Sequence, residues 1–220
     1  MKNNKNVLYV IITFFCILLI IGISYALYIY SATGNENKIN TGTINFNYIE
    51  NDTVLNIENP NPVSDDNAKV SNDYFEFTVS SSATGIIDVG YYIYLTTSND
   101  NSSSLNNYVK MYLTKVNDDV ETEVVAPTLI SSLIPFDVNT LTYNSTSSNR
   151  LIYSSYYAFN NDSTLQSTIY RFRMWVDSSY FDSSYNIIEN EGTHEISTTQ
   201  ASFKITISVK GVNGKPITIA

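Results

Sequence analysis

Cysteine and histidine are almost absent from this chain of 220 residues, where each occurs once, as Cys16 and His194. Cys16 lies in an apolar N-terminal stretch, so the rest of the chain cannot form an internal disulfide framework. One histidine cannot supply the imidazole pair of an H-E-x-x-H zinc motif. No G-x-S-x-G motif or Gly-rich phosphate loop is present either. These absences predict a non-enzymatic protein with no catalytic, cofactor-binding or metal-binding residues.

Basic residues are also scarce, with 12 Lys and Arg against 21 Asp and Glu and a net charge of −9. Without Met1–Ala26, which carry Lys2 and Lys5 but no acid, ten bases face 21 acids, a charge of −11. Nucleic acids and anionic lipids require clustered Lys and Arg, so neither is an expected partner. An acidic surface of this kind keeps an exported protein soluble.

Acidic pairs occur in three predicted loops: Asp65-Asp66, Asp118-Asp119, and Asp177 with Asp182. Calcium takes six to eight oxygen ligands, which loop carboxylates and carbonyls could supply. None of the pairs has the spacing of an EF-hand, so solvated turn residues are the favoured interpretation. A two-carboxylate glycosidase is the remaining enzymatic alternative.

The N-terminus combines two lysines, Lys2 and Lys5, with an apolar run from Val7 to Tyr30. This order places the N-terminus in the cytoplasm and predicts export of all that follows. Ser24 and Ala26 have the small side chains that a signal peptidase requires at positions −3 and −1. The run is also long enough for an uncleaved membrane anchor, so residues 1–26 are either a signal peptide or a signal anchor.

The remainder shows a period-2 alternation of apolar and polar residues that is typical of β-strands. The predicted strands are Thr41–Tyr48, Thr53–Ile57, Tyr74–Val79, Ile86–Thr97, Tyr108–Val116, Val120–Val125, Thr128–Ile134, Leu151–Phe159, Thr168–Val176 and Ala201–Val209. Polar tracts separate them, and the longest are predicted loops at Asn59–Asn72 and Asp177–Gly192. Eight to ten short strands predict an all-β antiparallel two-sheet sandwich, a jelly roll, over residues 41–220.

Trp175 is the only tryptophan, and it alternates with Arg171 and Arg173 in the strand Tyr170–Val176. The period of two puts these three residues on one face and Tyr170, Phe172, Met174 and Val176 on the other. Trp175 could form an exposed platform for sugars or half of a cation–π stack. Packing within the sheet is the favoured interpretation.

Several short motifs occur in an order that resembles the TasA/camelysin family of Gram-positive bacteria. Gly22, Ser24, Tyr25 and Ala26 end the apolar run, and Asn40–Phe46 (NTGTINF) resembles the first strand of that family. Tyr74–Val79, Tyr91–Leu95 and the closing strand Phe203–Val209 follow in order.

The resemblance implies a jelly-roll protein at the cell surface or in a biofilm matrix, processed by a signal peptidase and able to self-assemble into fibres. In such fibres an N-terminal extension pairs with an open sheet edge of the next subunit. Here the candidate donor strand is residues 27–40, with Leu27, Ile29 and Ile39 as side chains that fill pockets. A flexible stalk is the alternative for this segment.

Two other functions are open at this point. One is a membrane-tethered carbohydrate-binding or adhesive module that holds a surface glycan through Trp175 and exposed tyrosines. The other is an enzyme, a glycosidase or a metallopeptidase, since camelysin-like proteins have been described as metallopeptidases. The sequence contains no zinc motif, so the peptidase activity is not carried over to it.

Overall fold

The computed structural model describes residues 44–50, 55–58, 61–98, 101, 105, 107–160, 164–181 and 202–217. The apolar leader, the cleavage residues Ser24 and Ala26, and the donor residues Leu27, Ile29 and Ile39 lie outside these ranges, as do Asp182 and His194. Within the described ranges, no helix is long and apolar enough to cross a membrane.

The described residues form eleven β-strands and one short α-helix, α1, over Asp65–Lys69. The strands are β1 Ile44–Glu50, β2 Leu55–Glu58, β3 Phe75–Ala83, β4 Ile86–Thr97, β5 Val109–Asn117, β6 Val120–Leu129, β7 Ile134–Asp137, β8 Thr142–Tyr143, β9 Asn149–Asn160, β10 Gln166–Val176 and β11 Ser202–Asn213. Two 3-10 turns cover Ile130–Ser132 and Ser178–Tyr180.

The strands form two antiparallel sheets that pack on each other. The first sheet has five strands in the order β1-β3-β10-β5-β6, and the second has six in the order β2-β11-β4-β9-β7-β8. The two-sheet sandwich predicted from the alternating pattern is therefore confirmed.

Every second side chain of a strand points into the space between the two sheets, because successive side chains of a β-strand lie on opposite faces. In β3, Phe75, Phe77 and Val79 are buried, as their spacing predicts. In β10, Tyr170 and Phe172 join the same core. Arg171, Arg173 and Trp175 lie on the opposite face of β10, as predicted.

Three parts of the chain differ from the sequence-based expectation. The segments Val120–Val125 and Thr128–Ile134, expected as two strands, are mostly one strand, β6, that ends in a 3-10 turn. The predicted loop Asn59–Asn72 contains α1, which was not expected because five residues are too few for a helical apolar stripe. β7 and β8 were also missed, since two to four residues show no clear alternation.

Strand β4 is central, as its apolar character on both faces predicts, but Gly90 does not mark a bulge. The register of the β4–β9 pair shifts between Ile93 and Tyr94 instead. Gly90 is required because the chain after β11 crosses it: a Cβ there would lie 2.5 Å from the carbonyl oxygen of Gly214 and 2.8 Å from Pro216 Cδ. The absence of a side chain at Gly90 therefore allows the close approach of the chain that follows β11.

β1 and β2 are consecutive strands that belong to different sheets. β1 pairs with β3 in the first sheet, and β2 pairs with β11 in the second. The chain therefore changes sheets between Glu50 and Leu55, as strands do at the corners of sandwiches. β1 and β2 are therefore the edge strands of the two sheets on the same side of the sandwich, among the strands that the structure describes.

Candidate functional site

The second sheet has an edge that is only partly covered. β2 pairs with Ser202–Ile205, the first four residues of β11. β11 continues to Asn213, and on that side no strand among the described residues pairs with Thr206–Asn213. We call this eight-residue stretch the open β11 edge.

The hydrogen-bonding groups along β11 point alternately to β4 and to this edge. The amide and carbonyl of Lys204 bind Asn101 and Ser98, which lie on the β4 side. By the alternation of an antiparallel ladder, the amides and carbonyls of Ile207, Val209 and Gly211 point to the open edge. The Tyr48 hydroxyl donates to the carbonyl oxygen of Ile207 at 3.3 Å, which agrees with this direction.

The first sheet also ends on this side of the sandwich, with β1 as its edge strand. The ring of Phe46 fills the space over Gly211, where an added Cβ would come within 2.7 Å of the ring. The same ring lies 6.3 Å from that of Tyr91 in the core. The side chains of Phe46 and Tyr48 therefore cover the interior of the sandwich beside the open β11 edge. The edge-facing backbone groups of β11 still have no strand partner among the described residues.

The edges on the other side of the molecule are less suited to strand addition. β8 at the edge of the second sheet has only two residues. β6 at the edge of the first sheet contains Pro127, Glu121 and Glu123, and its pairing with β5 is irregular at two places. Short edges, prolines, charges and bulges all oppose edge-to-edge pairing.

The predicted residues Arg171 and Arg173 lie side by side on the outer face of the first sheet, where both bind Glu121. Arg173 donates from Nη1 and Nη2 to the two carboxylate oxygens of Glu121 at 2.6 and 2.9 Å. Arg171 donates from Nη1 to Glu121 Oε1 and from Nε to Glu76 Oε2, both at 2.9 Å. The Arg173 bonds, with those from Arg171 and Thr114, lower the pKa of Glu121 to about 2, despite its burial.

Tyr74 covers the two guanidinium groups. Its ring centroid lies 4.4 Å from Cζ of Arg171 and 5.0 Å from Cζ of Arg173. Arg173 also donates from Nε to the carbonyl oxygen of Ser71 at 2.9 Å. Every one of these contacts is internal, so the arginines hold the segment before β3 onto the sheet.

Trp175 is buried, with 5% of its surface exposed, and is not an exposed sugar platform. It packs with Tyr112, Ala68 of α1 and Val63 in a small second core outside the first sheet. Residues 61–74, which we call the strap, cover it. Trp175 therefore packs inside the protein, as favoured from the sequence. The alternative, an exposed platform for sugars, is wrong.

One lysine fastens the strap beside this second core. Lys110 Nζ lies 2.9 Å from Asp65 Oδ2 and 2.7 Å from Asp177 Oδ2. Burial opposes ionisation of Asp177, but its bonds from Lys110 and Ser179 hold the pKa of that carboxyl below its usual range. Two of the acids considered as calcium ligands thus bind a protein cation.

Asp118 and Asp119 form the turn between β5 and β6. Both have positive φ angles, 49° and 62°, as a two-residue hairpin turn requires. Among the described residues no group of three or more His, Cys, Asp or Glu side chains could hold a metal ion.

Sequence comparison does not place the chain in a family. No protein-family model matches it, and no curated protein matches it. The open β11 edge was not predicted from the sequence, because strand lengths and neighbours depend on the sheet topology. A signal was nevertheless present: the predicted strand Ala201–Val209 is longer than Thr53–Ile57, the strand that comes to lie beside it.

Proposed function

We propose that this protein is an exported, non-enzymatic structural subunit of the cell surface or matrix that assembles by donor-strand β-augmentation. The observation that carries the proposal is the open β11 edge. An extended segment placed there would make ladder hydrogen bonds with Ile207, Val209 and Gly211, whose polar groups point to that side. The donor is residues 27–40 of another copy.

The length of the donor fits the edge. Eight residues of antiparallel strand span about 27 Å. The fourteen residues 27–40 can cover that distance and leave several residues to connect to β1 of their own subunit. Leu27 and Ile29 are odd-numbered and point to one face when the segment is extended, so both can face the sandwich interior on the eight-residue edge. Ile39 comes ten positions after Ile29 and belongs to the residues that connect to β1.

Cleavage after Ala26 would free this donor, whereas an uncleaved leader would tether the domain to the membrane. N-terminal sequencing of the protein from fractionated cells separates the two states. A terminus at Leu27 in the medium or matrix supports assembly. A protein with intact Met1 in the membrane fraction supports a tethered module.

The direct test compares cells that express the full chain with cells that express the chain lacking residues 27–40. Sedimentation and electron microscopy of the exported protein should show filaments for the full chain and monomers for the deletion. Val209→Pro is the matched change on the acceptor, because it removes an edge-facing amide and leaves the β4 ladder intact. Val209→Ala keeps that amide and should still assemble. Monomers from every version at high concentration would contradict the proposal.

A second candidate is a glycan-binding module, and the observation in its favour is exposed tyrosine on the second sheet. Tyr143 and Tyr156 are both exposed, and Lys215 Nζ lies 4.6 Å from the Tyr156 ring centroid. Glycan-array binding that disappears in Tyr143→Ala or Tyr156→Ala, with folding intact, would support this function. Equal binding by these variants and the unchanged protein would argue against it.

A further inference from the structure

We infer that the strap is a lid: it opens while the sandwich stays folded, and opening uncovers Trp175 and Tyr112 on the outer face of the first sheet. This lid does not depend on the proposed assembly, because the strap packs on the first sheet and the open β11 edge belongs to the second. Three features of residues 64–73 support it: their backbone bonds, the ion pairs beneath them and one polar atom that they cover.

The backbone of residues 64–73 bonds to itself rather than to the sheets. The amides of Ala68 and Ser71 donate to the carbonyl oxygens of Ser64 and Ala68, at 2.9 and 3.2 Å. Among the described residues, no backbone hydrogen bond joins this segment to either sheet. The chain is fixed on both sides of it, beside β10 through the amide and carbonyl of Val63 and at the start of β3. The segment can therefore move between these two attachments without breaking a ladder hydrogen bond.

Lys110 binds the strap but does not depend on it for a partner. Its Nζ atom lies 2.9 Å from Asp65 Oδ2 in the strap and 2.7 Å from Asp177 Oδ2, next to the end of β10. The side chain of Asp177 is only 4% exposed, whereas that of Asp65 is 36% exposed. Loss of Asp65 on opening therefore leaves Lys110 paired with the better shielded of its two carboxylates.

Arg173 also has a partner outside the strap. Its Nε atom donates to the carbonyl oxygen of Ser71 in the strap, while its Nη1 and Nη2 atoms donate to Glu121 of β6. The two bonds to Glu121 lie within the first sheet and persist when the strap moves. Opening therefore leaves neither Lys110 nor Arg173 without a carboxylate, and it avoids the large cost of an unpaired buried charge.

The closed strap covers one polar atom that it does not satisfy. Nε1 of Trp175 is buried and has no hydrogen-bond partner among the described residues. A buried donor without an acceptor opposes closure, because it has lost its hydrogen bond to water. Of the five residues of α1, only Ala68 is buried, and its methyl group packs against Trp175 and Tyr112. The apolar gain from closure is therefore small and is partly cancelled by the indole N–H.

The other ion pair of the strap adds little to its closure. Lys69 Nζ lies 3.6 Å from Glu123 Oε2, and the two side chains are 36% and 48% exposed, so water and salt screen the pair. The sandwich beneath is held by ladder bonds and by a separate core that opening does not disturb. Segments with few buried apolar contacts open at a lower free energy than the core of their domain.

Thiol labelling of the exported protein measures the opening directly. Three variants on a Cys16→Ser background carry one new cysteine each: Ala68→Cys, Val79→Cys and Val70→Cys. Ala68 is buried under the strap and Val79 in the main core, whereas Val70 is 78% exposed on the strap. We expect Ala68→Cys to be labelled at least tenfold more slowly than Val70→Cys and at least a hundredfold faster than Val79→Cys. Urea should accelerate labelling of Ala68→Cys much less than that of Val79→Cys, because opening the strap exposes little surface.

Urea unfolding of each variant shows that it folds and corrects the labelling rates for any loss of global stability. Equal corrected rates and equal urea dependence for Ala68→Cys and Val79→Cys would overturn the lid, since the strap would then open only with the sandwich. Labelling of Ala68→Cys as fast as Val70→Cys would also overturn it, since the strap would then not be closed.

Asp65→Ala in the Ala68→Cys protein tests which attachment opening breaks. Loss of the pair with Lys110 should raise the labelling rate about threefold, the effect of a partly exposed ion pair. Asp66→Ala is the matched control, because Asp66 follows Asp65 in the first turn of α1 and is exposed. An unchanged rate in Asp65→Ala, or an equal rise in the control, would overturn the role of this pair in holding the lid closed.

Discussion

The hydroxyl oxygens of Tyr91 and Tyr170 lie 2.6 Å apart in the middle of the sandwich, one from each sheet. Both residues are almost fully buried. Tyr157 lies beside them and donates from its hydroxyl to the carbonyl oxygen of Val79 at 2.7 Å. This hydrogen bond favours one relative position of the two sheets. A shift of one sheet against the other would separate the two buried hydroxyls and remove the partner of each.

Tyr170→Phe should therefore destabilise the fold by about 1–3 kcal/mol, because the buried hydroxyl of Tyr91 loses its partner at 2.6 Å. Urea unfolding measures the change. The double variant Tyr91→Phe, Tyr170→Phe should cost less than the sum of the two single variants, since no orphan hydroxyl remains. Strictly additive losses would show that the two hydroxyls do not interact.

The same tyrosines predict sensitivity to alkali. Burial raises the pKa of Tyr170 and of Tyr157 well above the usual tyrosine range. Their contribution to stability is complete below the unfolded pKa of about 10 and is lost as pH rises above it, because only the unfolded chain ionises there. The free energy of unfolding should fall steeply above about pH 10, and less steeply in Tyr170→Phe.

The lowered pKa of Glu121 predicts that the protein also loses stability in acid. Its folded pKa of about 2 lies below the ordinary value of 4.5, so its contribution is present above pH 4.5 and disappears as pH falls toward 2. Glu121→Gln should cost about 1–3 kcal/mol at neutral pH, because buried Arg173 loses its carboxylate partner but keeps its bond to the Ser71 carbonyl oxygen. The free energy of unfolding should therefore differ less between pH 7 and pH 3 in this variant than in the unchanged protein. Glu123→Gln is a suitable control on the same strand.

The strap can be tested through Trp175, the only tryptophan in the chain. Ala68→Asp places a carboxylate in the second core, against the buried side chains of Trp175 and Tyr112. We expect a red shift of the tryptophan emission and faster quenching by acrylamide, while the far-ultraviolet β-sheet signal is retained. Asp66→Ala, on the same helix, should leave the emission unchanged.

Gly90 tests whether the chain after β11 is held on the second sheet. Gly90→Ala would place a Cβ too close to Gly214 and Pro216, so the terminal segment must move away. We expect a loss of about 1–3 kcal/mol, as for other overpacked sites. Proteolysis of the segment at Lys215 should also become faster. In Gly214→Ala the new Cβ meets open space, but the residue must keep a φ of +88°. The substitution should therefore cost about 1 kcal/mol, and the cost should arise from the backbone alone.

The sequence by itself predicted the elements whose physics is local. The alternation in β3, β4 and β10 reports which side chains face the core, because successive residues of a strand point to opposite faces. It placed Arg171, Arg173 and Trp175 on the face opposite Tyr170 correctly. It did not reveal that the strap covers that face, since the contact of Ala68 with Trp175 joins residues more than a hundred positions apart.

Local alternation therefore determined the all-β class, the strand positions and the inward-facing residues of this protein. Tertiary structure alone decided which strands are neighbours, and with that the burial of Trp175 and the open β11 edge. The physical reason is that strand pairing depends on contacts distant in sequence. β2 and β11 meet only because the chain changes sheets after Glu50. β2 is the shorter strand, so no described strand covers β11 from Thr206 onward on that side.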